Sequence, residues 1–257
     1  MKVFIIGSGN VAFSLGNALF KAGHEICGVY GRSSEKSIVL SKKLYCKSFE
    51  DLNSIPKNCE VYLLAVSDDA IAPLSSKLPP TKGMVVHTSG TTPLSSLGKI
   101  INTGVLYPVQ TIKNNYPRSF KKIPFCVEAS NERSLKKILE LAGSVSDELY
   151  QLDSEQRVIL HLSAVFTNNF NNHLLSIARD LLRQQNLPDQ LLLQLAQTTV
   201  MNAFDNDPYS SQTGPAMRND VKTIKKHLEM LKKQPGRQQI YRQITDDIIN
   251  VHNKKKK

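Results

Sequence analysis

From residue 1 to about 150, short apolar runs alternate with helical or loop segments. The runs cover residues 2–6, 25–30, 61–66, 83–87, 103–107 and 125–128. Apolar runs of this length separated by helix-sized stretches are the βαβ rhythm of a parallel, doubly wound α/β sheet. Pro79-Pro80 and Pro117 punctuate the region, and residues 131–142 read as a surface helix. After Tyr150 the period changes. Asp153 is a plausible N-cap, and residues 154–185 carry helical periodicity with no proline or glycine. Leu187-Pro188-Asp189 breaks that run; residues 191–204 make a second helix, 205–217 a loop, and 220–233 and 238–252 two more helices. The expected organisation is an α/β domain over 1–150 and an all-helical domain over 151–257.

The first run, Lys2-Val3-Phe4-Ile5-Ile6, leads straight into Gly7-Ser8-Gly9-Asn10-Val11-Ala12, after which Val11, Leu15, Ala18 and Leu19 repeat at helical spacing. A strand, a GxGxxA turn and a helix in this order form a dinucleotide-binding fingerprint. The first glycine permits the tight turn, the second lets the backbone approach a pyrophosphate, and Ala12 lets helix and strand pack closely. The first N–H groups of the helix would hold the negative charge. The competing reading is a merely structural turn.

About 20 residues beyond the glycines, where an NAD site carries Asp or Glu, stands Gly31-Arg32-Ser33-Ser34. A guanidinium beside two hydroxyls suits a 2′-phosphate, so Arg32, Ser33 and Ser34 favour NADP(H) over NAD(H); an ordinary surface turn is the alternative. Ala65-Val66-Ser67 and the Ser89 loop end strands that face the same crevice, and are small and polar enough to lie beside a nicotinamide ribose; an ordinary strand-to-loop exit is the alternative for each.

Composition narrows the partners. The formal net charge is +11, from 33 basic and 22 acidic residues. Four of the charges sit at 254–257, read as a frayed tail, and many others crowd the last helices without interleaved aromatics. That distribution favours a solvated face over a polyanion site, the alternative, with neither nucleic acid nor a membrane expected as partner. No apolar run approaches the roughly 20 residues that span a bilayer, and no signal-peptide pattern precedes the first strand, so a soluble, cytoplasmic protein is expected. Cys27, Cys46, Cys59 and Cys126 are scattered, so reduced thiols are expected and no metal site is indicated.

The chain resembles, over nearly its full length, the Rossmann-like proteins with a DUF2520 helical domain, labelled NADP or F420-dependent oxidoreductases. It is more distantly similar to pyrroline-5-carboxylate reductase, ketopantoate reductase and the 6-phosphogluconate and 3-hydroxyisobutyrate dehydrogenases. The resemblance is carried by Gly7 to Ala12, Gly31-Arg32-Ser33, Ala65-Val66, His87-Thr88-Ser89-Gly90, Tyr107-Pro108-Val109-Gln110-Thr111, His161 to Phe170, and Thr213 to Asp220. It implies a two-domain reductase with the nicotinamide between the sheet and the first long helix, F420 as a minor alternative carrier, and a homodimer built through the helical domain. The lysine that serves the hydroxyacid-dehydrogenase relatives as acid/base has no equivalent here, and the long helix carries His161 instead.

Hydride transfer needs a proton donor for the developing alkoxide or amine. An imidazole titrates near neutrality, which makes His161 the candidate donor; a satisfied interior histidine is the bland alternative. At 3.6 residues per turn, Asn168 and Asn172 fall within about 20° of His161 and Asn169 about 80° away. The spacing favours Asn168 as the amide that positions substrate or carboxamide, whereas the family pattern favours Asn169. Arg218 could clamp a substrate carboxylate, or simply form a surface salt bridge; Asp220 is read as a helix N-cap, and Gln110 and Thr111 as further lining of the cleft. The expected function is an NADP(H)-dependent oxidoreductase acting on a small, anionic carbonyl or imine compound. The alternative is a non-catalytic NADP(H)-binding sensor or scaffold.

Overall fold

The computed structural model describes residues 1–113 and 119–254. Pro117 and the tail lysines beyond 254, both singled out above, lie outside them. By contacts the chain divides into two compact units, Met1–Asn168 and Asn169–Lys257.

The first unit is built on eight strands: β1 (Lys2–Ile6), β2 (Glu25–Tyr30), β3 (Ser48–Phe49), β4 (Val61–Leu64), β5 (Met84–His87), β6 (Thr103–Pro108), β7 (Phe125–Ala129) and β8 (Leu149–Gln151). Their spatial order is β3-β2-β1-β4-β5-β6-β7-β8. All neighbours are parallel except β6 and β7, which pair antiparallel with Tyr107 opposite Cys126. The expected parallel sheet is corrected at that one step. An antiparallel neighbour, unlike a parallel one, needs no crossover helix between the two strands. The short strands β3 and β8 were not expected.

Along β1, Val3 and Ile5 enter one apolar core with Ala12, Leu15 and Leu19, while Phe4 and Ile6 enter a second with Tyr62, Leu64 and Val85. A strand buried on both faces reads as an unbroken apolar run, which is why β1 was visible from sequence. Helices α1 (Asn10–Lys21), α2 (Ser34–Lys43), α3 (Asp68–Lys77) and α4 (Glu132–Gly143) cover the sheet. Helix α5 (Ser154–Ala164) starts with a complete capping box: Asp153 accepts from the Gln156 N–H and Gln156 returns a bond to the Asp153 N–H.

The helical run expected over 154–185 is interrupted. A π-helical turn spans Val165–Phe170, after which α6 (Asn171–Arg183) resumes α geometry. In the second unit α7 (Leu193–Asp205), α8 (Val221–Met230) and α9 (Pro235–Lys254) follow. Asp220 caps α8, accepting from the Thr223 N–H at 3.0 Å. Among the described residues no helix is long and apolar enough to cross a membrane.

Candidate functional site

Strand order reverses around β1, which sends β2 to one side and β4 to the other, and a doubly wound sheet opens its ligand crevice at the strand ends of such a point. The loops leaving β1 and β4 meet there. Gly7 adopts φ +130° and donates to the Tyr30 carbonyl at 2.7 Å. A Cβ on Gly7 would lie 2.1 Å from the Ala65 carbonyl oxygen, so the β1 and β4 loops touch only because this residue has no side chain. Gly9 is the N-cap of α1, where no side chain caps the helix and no acidic residue stands in the first turn. No heavy atom lies within 4 Å of the place its Cβ would take. The start of α1, with its orphan N–H groups, thus borders open space, as a bound pyrophosphate requires.

That space is a cavity of about 730 Å³, of the size that holds a substantial ligand. Gly7, Ser8, Gly9, Asn10 and Val11 line it, together with Ala65, Val66 and Ser67 and with Arg32 and Ser33. Lys36 joins Arg32 there, a second cation that sequence reasoning passed over; its spacing one turn into α2 from Ser33 was the available signal. Neither cation forms an ion pair among the described residues. Ser33 also caps α2.

Three residues assigned to the cofactor lie elsewhere. Ala12 is buried in the core, where its small side chain lets α1 sit on the sheet; Ser34 is exposed at the start of α2 outside the cavity lining. Ser89 is buried in the loop after β5. Its hydroxyl accepts from the Thr91 and Thr92 N–H groups, and its own N–H donates to His87 Nδ1 at 3.2 Å. It holds the loop's shape.

A second polar cluster forms where α5 meets that loop. Arg157, fully buried, donates from one terminal nitrogen to the Ser89 and Thr92 carbonyls and from the other to Glu128 of β7, all at 2.9 Å. Sequence reasoning missed Arg157, although it stands four residues before His161 and therefore on the same helix face. His161 Nδ1 lies 3.2 Å from the Tyr107 hydroxyl. Tyr107 is half-buried, and burial pushes its phenol pKa up. His87 is wholly buried; desolvation first, and then the Arg157 charge, bring its pKa down to about 4, so it is neutral near pH 7.

Asn168 donates its amide to Thr111 Oγ1 at 2.7 Å, bringing together two residues that the sequence placed in one cleft. A π turn takes one residue more than an α turn, so the 3.6-residue count that favoured Asn168 over Asn169 does not carry across Val165–Phe170. Asn169 and Arg218 belong to the second unit, where both are exposed.

Residues 2–88 match the family described as NADP oxidoreductase, coenzyme F420-dependent, and residues 123–248 match the domain of unknown function DUF2520. Among solved structures, a Bacteroides fragilis protein classed as an NADP oxidoreductase is 35% identical with a TM-score of 0.88, covering 97% of this chain and 98% of that one. Protein TM1727 of Thermotoga maritima is 20% identical at TM-score 0.73, covering 99% and 100%. A Plasmodium falciparum pyrroline carboxylate reductase, solved with NADP bound, shares the fold at TM-score 0.59 and 13% identity, covering 99% and 96%. No curated protein matches the chain. With this glycine-lined crevice and a relative so similar over almost all of both chains, the protein belongs to the family of NADP oxidoreductases that join a Rossmann-like region to DUF2520.

Proposed function

We propose that this protein binds NADP(H) and transfers hydride to or from a small, anionic carbonyl or imine compound. The observation that carries the cofactor is the 730 Å³ cavity, which is lined by Gly7–Val11 together with Arg32 and Lys36. Arg32 offers a forked contact to a 2′-phosphate and Lys36 a point charge, whereas among the described residues no carboxylate lines the cavity to claim ribose hydroxyls. A bound nicotinamide supplies or accepts the hydride.

The protein's own part is to bind, orient and move a proton. His161 is the proposed proton donor, held half-buried against Tyr107. Asn168 or Asn169 is the positioning amide, with Asn168 already steadied by Thr111. Arg218 is the proposed anchor for the substrate's anion, a role that suits an exposed guanidinium without an ion pair among the described residues. In this reading residues 1–150 bind the dinucleotide, and 151–257 serve substrate binding and dimerisation. The four cysteines are free thiols, in keeping with work in the cytoplasm.

Fluorescence titration tests the cofactor. NADPH should bind more tightly than NADH, and Arg32→Ala with Lys36→Ala should weaken NADPH by about 10- to 100-fold while leaving NADH nearly unchanged. Equal losses for both nucleotides would remove the 2′-phosphate reading. NADPH consumption against a panel of 2-oxo acids, ketones and cyclic imines tests the reaction. NADPH binding with no turnover across the panel would favour a sensor or scaffold instead.

A further inference from the structure

We propose that Tyr107 positions His161: its hydroxyl donates to Nδ1, so that the imidazole carries its proton on Nε2, an inference that rests on the reading of His161 as the proton donor. The contact joins β6 to α5 across 54 residues of sequence at 3.2 Å, with the two rings 6.1 Å apart and inclined at 55°. A neutral imidazole has one donor and one acceptor nitrogen, and the bond made by one nitrogen decides what the other can do.

The direction of the bond follows from the hydroxyl's surroundings. Burial raises the Tyr107 pKa, so the phenol keeps its proton near neutral pH. Among the described residues His161 is the hydroxyl's hydrogen-bond partner. Were Nδ1–H to donate to the phenol oxygen, the hydroxyl proton would be left without an acceptor in a half-buried place, which is the costlier arrangement. With Nδ1 accepting, Nε2–H is the donor left for a reacting oxygen or nitrogen; as that proton leaves Nε2, the Tyr107 hydroxyl proton passes to Nδ1, so the imidazole stays neutral and the phenolate left behind is reprotonated from solvent.

The surrounding residues are built around this pair. A Cβ on Gly90 would lie 2.7 Å from His161 Nδ1 and 2.8 Å from Tyr107 Cζ, so the rings occupy the room that glycine leaves. One turn earlier on α5, Arg157 grips the carbonyls on either side of Gly90, those of Ser89 and Thr92. The helix that carries His161 is therefore fixed to the loop that makes space for it.

The test uses the full-length protein, ¹⁵N-labelled and loaded with NADPH. Long-range proton–nitrogen spectra read the tautomer of His161, whose signals are those missing in His161→Ala. Wild type should show Nε2 protonated and Nδ1 bare, whereas Tyr107→Phe, which keeps the ring, should show a mixture of tautomers. NADPH affinity should stay within about twofold, while NADPH turnover with 1-pyrroline-2-carboxylate, a cyclic imine bearing a carboxylate, should fall about 5- to 10-fold, the worth of one hydrogen bond. A wild-type spectrum with Nδ1 protonated, or a tautomer that Tyr107→Phe leaves unchanged, overturns the role of Tyr107. His161→Ala with wild-type turnover overturns the proton-donor reading and the role of Tyr107 with it. An inactive His161→Ala beside an unchanged tautomer in Tyr107→Phe overturns the role of Tyr107 alone.

Discussion

His87 shows how a buried side chain can set a pH limit without touching substrate. Its pKa in the folded chain is about 4, against an ordinary 6.5, chiefly because burial disfavours the imidazolium and secondarily because Arg157 lies nearby. Between those two values the unfolded chain binds a proton that the folded chain refuses. Stability is therefore intact above pH 6.5 and is lost as pH falls towards 4, by up to about 3 kcal/mol. Urea unfolding followed from pH 7 to pH 4 should show this loss, and His87→Gln should show a flatter dependence whatever its stability at neutral pH. Parallel profiles for the two proteins would refute the assignment. His87 was visible in the sequence only as part of a motif, because its burial depends on a loop pinned by Arg157, 70 positions later. Gly7 to Val11, Arg32, Ser33 and Ala65 to Ser67 were legible because each sits at a strand end whose role follows from local pattern. Lys36 and Arg157 needed helix phase to be counted from a neighbour already suspected.

Among elements, β1 and β2 fall on the bounds that the apolar runs predicted, since both are long enough for burial to leave a pattern. With two and three residues, β3 and β8 are too short to show a period, and nothing in the residues of 165–170 marks a π turn in advance. The tie between α5 and the sheet was equally invisible, since it joins Arg157 to Glu128 on β7 and to the loop after β5. Removing it should be costly. In Arg157→Ala, the Glu128 carboxylate, its side chain only 15% exposed, loses its cation, and the Ser89 and Thr92 carbonyls lose a donor. Fully buried pairs broken in this way cost about 3–5 kcal/mol; the residual exposure of Glu128 and its bond from Ser154 place this one near 3 kcal/mol. Denaturant midpoints measure the loss. A fall of less than about 0.5 kcal/mol would mean that α5 is held by its apolar contacts instead.

For the molecule as a whole, the homodimer proposed above would have a place to form on the exposed apolar residues of α6 and α7. Helices α6 and α7 bury no residue, yet α6 carries Leu174, Leu175 and Leu181 and α7 carries Leu193, Leu195, Val200, Met201 and Phe204 with 37–76% of each exposed. Monomeric proteins seldom present so many large apolar side chains on neighbouring turns, because each left in water forgoes its transfer free energy. The sequence predicted the helices from their period, but which face stays uncovered depends on tertiary packing. A two-fold dimer would bury these helices against their own copies, so a single substitution enters the interface twice. Sedimentation equilibrium should give twice the chain mass at micromolar concentration. Leu195→Glu, at a position 64% exposed in the single chain, should cost the monomer little and shift the equilibrium to monomer, since a carboxylate at each copy of the position would have to be desolvated. The high positive charge sharpens the measurement. Two copies at +11 repel, so the dimer should tighten from low to moderate salt if apolar burial drives it, whereas association through ion pairs would weaken. A wild-type chain that sediments as a monomer throughout would refute the dimer and leave the apolar faces of α6 and α7 without an occupant.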